Sequence, residues 1–182
     1  MGDKILILGN PLLREISSPV YDFKSSETKT DIESLKKELE NFRRKSGFGR
    51  GISAVQTGIK KRIIALNLGK ETFCIINPEI TSRSAETFLM WDDCMSFPDL
   101  VVKVERNSFI SIRYHDETGK IMEWNNLSKD ISELLQHEID HLDGILAVDR
   151  AVEKTDIIYK KEYIKNRGKY DTGIEYSINP EI

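Results

Sequence analysis

The stretch His137-Glu138-Ile139-Asp140-His141 decides both the fold and the chemistry that we expect of this chain. Two histidines four residues apart lie one turn apart on the same face of an α-helix, so they can bind one metal ion together. A glutamate beside the first histidine can act as a general base toward a water on that metal. The pattern therefore predicts metal-assisted hydrolysis, and it leaves open which bond is broken.

The residues around this stretch predict the helix itself. Ser128 or Asp130 can cap its start, because short polar side chains accept hydrogen bonds from the first free N–H groups. The apolar residues recur at helical spacing: Ile131, Leu134, Leu135, Ile139 and Leu142. Gly144 is expected to end the helix. Glu138 points toward the apolar side of the helix. A buried charge there is costly unless it is paired or has a functional role.

The composition is that of an ordinary globular protein. The 182 residues, 39% hydrophobic and 31% charged, predict a single domain over 1–182. A net charge of −3 gives no reason to expect direct nucleic-acid binding, and no segment reaches membrane-spanning length. The N-terminus shows no cleavage-site pattern, and only two cysteines argue against a disulfide framework. We therefore expect a reducing, cytoplasmic location without membrane binding.

Strands are predicted to cluster between helices. A first helix is predicted over Thr30–Lys45, with Thr30 and Glu33 as a capping box. Six strands are predicted near 62–68, 72–80, 85–91, 100–105, 109–115 and 120–124. The remainder, 151–182, is predicted as a polar C-terminal extension with one helix near Glu153–Asn166. This order indicates an α+β fold, with antiparallel sheets packed around the helix of the two histidines.

A catalytic metal usually has three protein ligands, so a third ligand must come from elsewhere in the chain. His115 ends a strand on the face opposite Ile110 and Ile112, which predicts a solvent-facing side chain. Cys74 lies in an apolar strand and is expected to be buried. Cys94 lies in a polar turn after a strand, where a thiolate can reach a metal. Chemistry alone favours Cys94 over His115 and leaves both open.

Three sequence blocks, in this order, resemble the peptide deformylase family. The family's G-x-G-x-A-A-x-Q loop corresponds to Gly49–Gln56, its E-G-C-x-S segment to Asp92–Ser96, and its H-E-x-D-H helix to His137–His141. The similarity runs from the N-terminal region to about Val148. It implies a metal-dependent enzyme that removes the N-formyl group from formyl-methionyl nascent peptides, acting on ribosome-associated chains.

The resemblance implies which residues hold the metal and which one moves protons. Cys94, His137 and His141 would bind one divalent ion, natively Fe²⁺, and Zn²⁺ or Ni²⁺ could replace it. Glu138 would take a proton from the attacking water and pass it to the leaving amine.

The resemblance also implies how the substrate is held. The Gln56 side-chain amide and the Met95 N–H would stabilise the oxyanion. Gly49 and Gly51 would bind substrate, and Gly51 would let the main chain approach it closely. By the same resemblance, we expect Arg106 to pair with the acidic residue inside the helix motif.

Three residues depart from the family's blocks close to the expected chemistry. Ser53 replaces an alanine and needs a hydrogen-bond partner if it is buried. Asp92 replaces a glutamate. Asp93 replaces a glycine, which is costly if that position has a positive φ, and it adds negative charge beside the metal. These departures leave one alternative, a deformylase-like protein of weak or altered activity that binds formylated or related peptide ends.

Overall fold

The computed structural model describes residues 5–176, and its regular elements are four α-helices and eight β-strands within that range. The helices are α1 (Ser26–Ser46), α2 (Lys129–Leu142), α3 (Lys160–Lys165) and α4 (Arg167–Tyr170). The strands are β1 (Gly51–Ser53), β2 (Ile63–Leu66), β3 (Phe73–Arg83), β4 (Thr87–Asp92), β5 (Leu100–Asn107), β6 (Ile110–His115), β7 (Ile121–Trp124) and β8 (Ile157–Tyr159). None of these helices is long and apolar enough to cross a bilayer.

The strands form two antiparallel sheets. Five strands pair in the order β1-β2-β3-β6-β7, and three pair in the order β4-β5-β8. Three strands of the larger sheet, β1 to β3, precede the β4–β5 hairpin of the smaller sheet, and the other two, β6 and β7, follow it. The predicted α+β fold with antiparallel sheets is confirmed.

Helices cover both faces of the five-stranded sheet at β2. Ile63 and Ala65 of β2 pack with the buried side of α1, whereas Ile64 and Leu66 pack with that of α2. Successive strand residues point to opposite faces, so an unbroken apolar run is what a strand between two helices requires. Each such side chain contributes about 1.5–3 kcal/mol when it is fully buried.

Helix α2 lies between the two sheets. Leu135 and Ile139 pack on the larger sheet. On the smaller sheet, the Gln136 side chain bonds to the main-chain N–H and C=O of Asn107, both at 3.0 Å. Nearly every side chain of the second half of α2 is consequently buried. The helix of the two histidines is central, as predicted, and it begins after Ser128 and ends two residues before Gly144.

Two predicted helix boundaries are wrong. Helix α1 begins at Ser26, because the Ser25 hydroxyl accepts a hydrogen bond from the Thr28 N–H (3.1 Å), and the Thr30 capping box does not form. The helix predicted over Glu153–Asn166 begins only at Lys160. The three residues before it form β8 instead, since the edge of β5 offers main-chain partners to them. All six predicted strands are present, with bounds shifted by at most three residues.

Candidate active site

The turn after β4 and one face of α2 bring three predicted ligands together. Cys94 Sγ lies 3.2 Å from His141 Nε2, which in turn lies 3.1 Å from His137 Nε2. The three ligand atoms all lie within 4.8 Å of one another, and all three side chains are buried. Residues separated by more than forty positions thus converge on one point.

The geometry of these three atoms fits one transition-metal ion. Around a tetrahedral ion with metal–sulfur and metal–nitrogen distances of roughly 2.3 and 2.1 Å, the ligand atoms lie roughly 3.4–3.6 Å apart. The sulfur–nitrogen and nitrogen–nitrogen distances given above are a few tenths of an ångström shorter. His137 Nδ1 is occupied by Asp92 at 2.9 Å, which leaves Nε2 directed at the cluster. A thiolate with two imidazoles favours a borderline or soft divalent ion.

A buried charge network holds the histidine helix against β4 and β5. The Asp92 carboxylate contacts both His137 Nδ1 and Arg106 Nη2, the latter at 3.0 Å. Arg106 Nη1 donates to Asp140 Oδ2 at 2.6 Å, which confirms the predicted Arg106–Asp140 pair. Arg106 is only 4% exposed, so its charge is balanced within the protein rather than by water. The shorter carboxylate of Asp92 still reaches both of its partners.

The network shifts the pKa values of its members in opposite directions. Burial alone would raise the pKa of Asp92, but His137 and Arg106 hold it well below its usual range. Burial opposes the charged form of His137 too, yet the Asp92 carboxylate and the Cys94 sulfur raise the pKa of that imidazole. Burial and then the neighbouring His137 lower the pKa of His141. Asp92 is therefore a permanent carboxylate that fixes the orientation of His137.

Glu138 lies on the buried side of α2, as predicted, and is enclosed by the loop around β1. The Ser53 hydroxyl lies 2.6 Å from Glu138 Oε2 and 2.7 Å from the Glu138 carbonyl oxygen, so this buried serine has the partner it needs. A Cβ added to Gly51 would lie 2.8 Å from Glu138 Oε1, so a side chain there would displace the carboxylate. Burial raises the pKa of Glu138, partly offset by His137 and by Ser53.

The side-chain amide of Gln56 is fixed in one orientation. Its Oε1 accepts a hydrogen bond from the Ser53 N–H (2.9 Å). Its Nε2 donates to Ser96 Oγ (3.1 Å) and lies 3.6 Å from Cys94 Sγ. The donating end of the amide therefore faces the ligand cluster.

An open pocket of about 100 Å³ leads to these groups. Gly49, Gly51 and Met95 line it, together with Gln56 and Glu138. The site residues predicted from the sequence thus share one concave space, except His141, which lies fully buried behind it. A Cβ on Gly49 would meet the Phe42 ring at 2.9 Å and its φ is +123°, so only glycine fits there without strain.

Asp93 avoids a positive φ, and its carboxylate is paired. Among residues 5–176, the non-glycine residues with positive φ are Asn77 and Asn126, so Asp93 adopts an ordinary main-chain conformation. Its carboxylate accepts from Lys160 Nζ at 2.7 Å, at the rim of the pocket. The added negative charge is paired with a lysine from the C-terminal segment.

One ion pair in the pocket wall was not predicted from the sequence. Arg50 donates to Glu133, whose side chain is only 2% exposed. Burial raises the pKa of Glu133 to about 7 in spite of the adjacent guanidinium. Glu133 precedes His137 by four residues and so lies on the same helix face, which was the signal available in the sequence.

The two residues weighed against Cys94 lie outside this cluster. Cys74 is buried in β3, as predicted, and burial and the nearby Glu117 raise the pKa of its thiol. His115 was predicted to face solvent, and this is wrong. Its ring lies 5.0 Å from that of Phe23 and is half-buried, because the segment before α1 crosses the end of β6.

A buried cysteine and two imidazoles beside a buried carboxylate, reached through an open pocket, define a metal-dependent hydrolase. Comparison with known proteins identifies the kind. The polypeptide deformylase family model matches residues 3–156. The chain belongs to this family, and it hydrolyses the N-formyl group of formyl-methionyl nascent peptides with a divalent metal.

Individual relatives agree with the family assignment. The peptide deformylase of Thermotoga petrophila is 32% identical over 159 residues, which cover 87% of this chain and 93% of that protein. The crystal structure of peptide deformylase from Thermotoga maritima superposes with a TM-score of 0.74 at 32% identity, covering 82% of this chain and 97% of the other. The deformylase from Legionella pneumophila gives a TM-score of 0.75 at 28% identity, covering 92% and 94%.

Replacing Arg106 with alanine should damage both folding and metal binding. Asp92 would lose its buried guanidinium partner, which costs about 3–5 kcal/mol in comparable pairs, whereas Asp140 would keep its contact with Arg150 at 2.8 Å. His137 would also lose the fixed orientation that Asp92 provides, so metal affinity should fall roughly 10–100-fold. Chemical denaturation and metal analysis of the purified protein measure the two effects.

Arg113→Ala is the matched control for this prediction. Arg113 pairs with Glu79 on the exposed face of the sheet and should cost less than about 1 kcal/mol. Equal stability and equal metal content for the two variants would show that the buried network does not support the site.

Proposed function

We propose that Cys94, His137 and His141 bind a single ion, natively Fe²⁺, for which Zn²⁺ or Ni²⁺ can substitute. The observation that carries this proposal is the convergence of the three ligand atoms within 4.8 Å, beside Glu138. When bound, the ion polarises the formyl carbonyl and lowers the pKa of a coordinated water. One sulfur and two nitrogen donors suit ferrous iron, zinc and nickel alike, which is why zinc or nickel can substitute.

Glu138 is the proposed proton carrier. Its carboxylate takes a proton from the attacking water and delivers it to the nitrogen that leaves as the peptide's free amine. The Ser53 hydroxyl at Oε2 and the tight space at Gly51 hold this carboxylate in one position. A fixed base needs no reorganisation at the moment of proton transfer.

Gln56 and Met95 are the proposed oxyanion donors. The Gln56 amide directs its Nε2 toward the ligand cluster, as its contacts with Ser53 and Ser96 require. Met95 lines the same pocket, and its N–H makes no hydrogen bond to any other residue between 5 and 176, so that N–H is available to a substrate oxygen. Gly49 and Gly51 complete the substrate-binding wall.

We further propose the setting in which the enzyme acts. Residues 1–182 form one deformylase domain, and 151–182 are its C-terminal extension. The substrates are nascent chains at the ribosome, reached without direct nucleic-acid or membrane binding, in the cytoplasm. A net charge of −3 and two free, buried cysteines support this setting.

Glu138→Gln should lower kcat/KM on a formyl-Met peptide by roughly 10²–10⁴-fold, because the amide cannot accept the proton from water. The metal content should stay at one ion per chain, since Glu138 is not a ligand. Glu123→Gln, on the exposed face of β7, is the matched control and should keep its activity. Activity of Glu138→Gln within threefold of the parent would remove this residue from the proposed role.

Protein purified without oxygen should contain one iron per chain, and its activity should decline in air as the ferrous ion is oxidised. Metal analysis before and after air exposure, alongside protein reconstituted with Zn²⁺ or Ni²⁺, measures this. Zinc as the bound ion in fully active anaerobic protein would refute iron as the native metal.

Ser53→Ala should lower kcat roughly tenfold with a smaller change in KM, because a hydrogen bond to a charged group is lost from the base and not from the substrate. Ser108→Ala is the control, since the Ser108 hydroxyl is buried without a partner in the described part of the chain. A lower melting temperature with unchanged kcat would reduce the role of Ser53 to structure alone.

A further inference from the structure

The wall that α2 gives to the active-site pocket carries charge at its far end. Four residues of α2 line this pocket: Glu133, Leu134, His137 and Glu138. Each of the first two stands four residues before one of the last two, so all four lie on one side of the helix. Glu133 and Leu134 are one turn away from His137 and Glu138, about 6 Å along the helix axis. The pocket therefore runs along α2 from the reacting groups to a buried carboxylate.

Arg50 completes this end of the pocket. Its Nη2 donates to Glu133 Oε1, and its Nη1 donates to the Asp130 carbonyl oxygen at 2.9 Å. The Glu133 side chain is 2% exposed, whereas that of Arg50 keeps 22% of its exposure, and both line the pocket. A guanidinium carries five N–H donors, of which these two contacts use two. The far end of the pocket is therefore a partly exposed polar surface that presents hydrogen-bond donors.

Leu134 and the Arg50–Glu133 pair together fit a side chain that has an apolar stem and a polar end. Leu134 can cover methylene groups, since it is apolar and faces the pocket. An entirely apolar side chain would exclude water from Arg50 without replacing the hydrogen bonds of that water, which is unfavourable. A side chain that ends in an acceptor oxygen would instead replace the water by a hydrogen bond to a charged donor.

The first side chain of the substrate is the group that can reach this polar end. Its Cα is bonded to the nitrogen of the formyl amide, so the side chain begins beside the reacting carbon. The proposed function places that carbon next to Cys94 and Glu138. A side chain of methionine's length is long enough to extend from there along one turn of α2. Its end then lies against Arg50 and Glu133.

We propose that Arg50 and Glu133 determine which first side chain the enzyme accepts, and that they favour a side chain of methionine's length ending in a hydrogen-bond acceptor. Glutamine and methionine sulfoxide have this chemistry. This inference rests on the proposed function, because that function fixes where the formyl group lies. Methionine is accepted through its stem and its weakly accepting sulfur. The substrates thereby extend beyond formyl-methionyl peptides to formylated peptides with a polar first residue.

Turnover of peptides that differ only at the first residue tests the inference. The four peptides are formyl-X-Ala-Ser, where X is norleucine, methionine, methionine sulfoxide or glutamine, and the metal-loaded enzyme is assayed at one pH. We expect kcat/KM for glutamine and for methionine sulfoxide to be about tenfold above that for norleucine, because a hydrogen bond to a charged donor is gained. A value for norleucine equal to or above those two would overturn the inference and leave the proposed function intact. No turnover of any peptide would contradict the proposed function itself.

A double variant locates the preference on the protein. Arg50→Met/Glu133→Leu removes the pair, and apolar residues of similar volume often replace a buried ion pair without loss of stability. We expect the glutamine-to-norleucine ratio of kcat/KM to fall below one, since an unpaired amide would then be buried against an apolar wall. Arg113→Met/Glu79→Leu removes the same charges from an exposed pair on the larger sheet, and this matched control should keep the ratio.

Arg50→Lys tests the same point with less disturbance of the fold. It keeps a positive charge beside Glu133 but loses the planar set of guanidinium donors, so the ratio should fall toward one. The metal content should stay at one ion per chain, because Arg50 is not a ligand. A ratio unchanged in both Arg50 variants, or changed equally in the Arg113 control, would overturn the role of the pair.

Discussion

The Asp92 carboxylate is the contact on which the rest of the site depends. It ends β4, bonds to Arg106 of β5 and to His137 of α2, and so joins three elements through one buried charge. Such a network is stabilising only when complete, because an unpaired ion in the interior costs several kcal/mol. Because these contacts fix Asp92, the main chain places Cys94, two residues later, close to the histidines of α2. The position of the sulfur is therefore decided by an acid that would not itself touch the metal.

The spacing of apolar residues along the sequence was sufficient to predict α2 with its buried glutamate, and the six central strands. It was insufficient at α1, where a local cap at Ser25 sets the start of the helix, and at the C-terminal end, where pairing with β5 decides the outcome. Ser25 caps α1, so the helix begins at Ser26, four residues before the predicted start. Residues 157–159, two isoleucines and a tyrosine, suit a strand, but their assignment depends on an open edge of β5 that no local pattern reveals.

The candidate site was predictable in its parts and not in its assembly. Spacing placed His137, His141 and Glu138 on one helix, yet the choice of Cys94 over His115 came from resemblance. Two departures from the family blocks needed the structure for interpretation. Ser53 bonds to Glu138, and the partner of Asp93 is a lysine 67 residues away. Long-range pairs of this kind leave no periodic trace in a sequence.

Strand β8 also covers one edge of the smaller sheet. The N–H and C=O groups of Leu100–Val102 have their second set of partners in residues 157–159. A sheet edge without such a cover is a template for pairing with another chain, and the apolar residues of β5 would make that pairing adhesive. Residues 157–159 therefore protect β5 against edge-to-edge pairing with another chain, and removing them would favour aggregation.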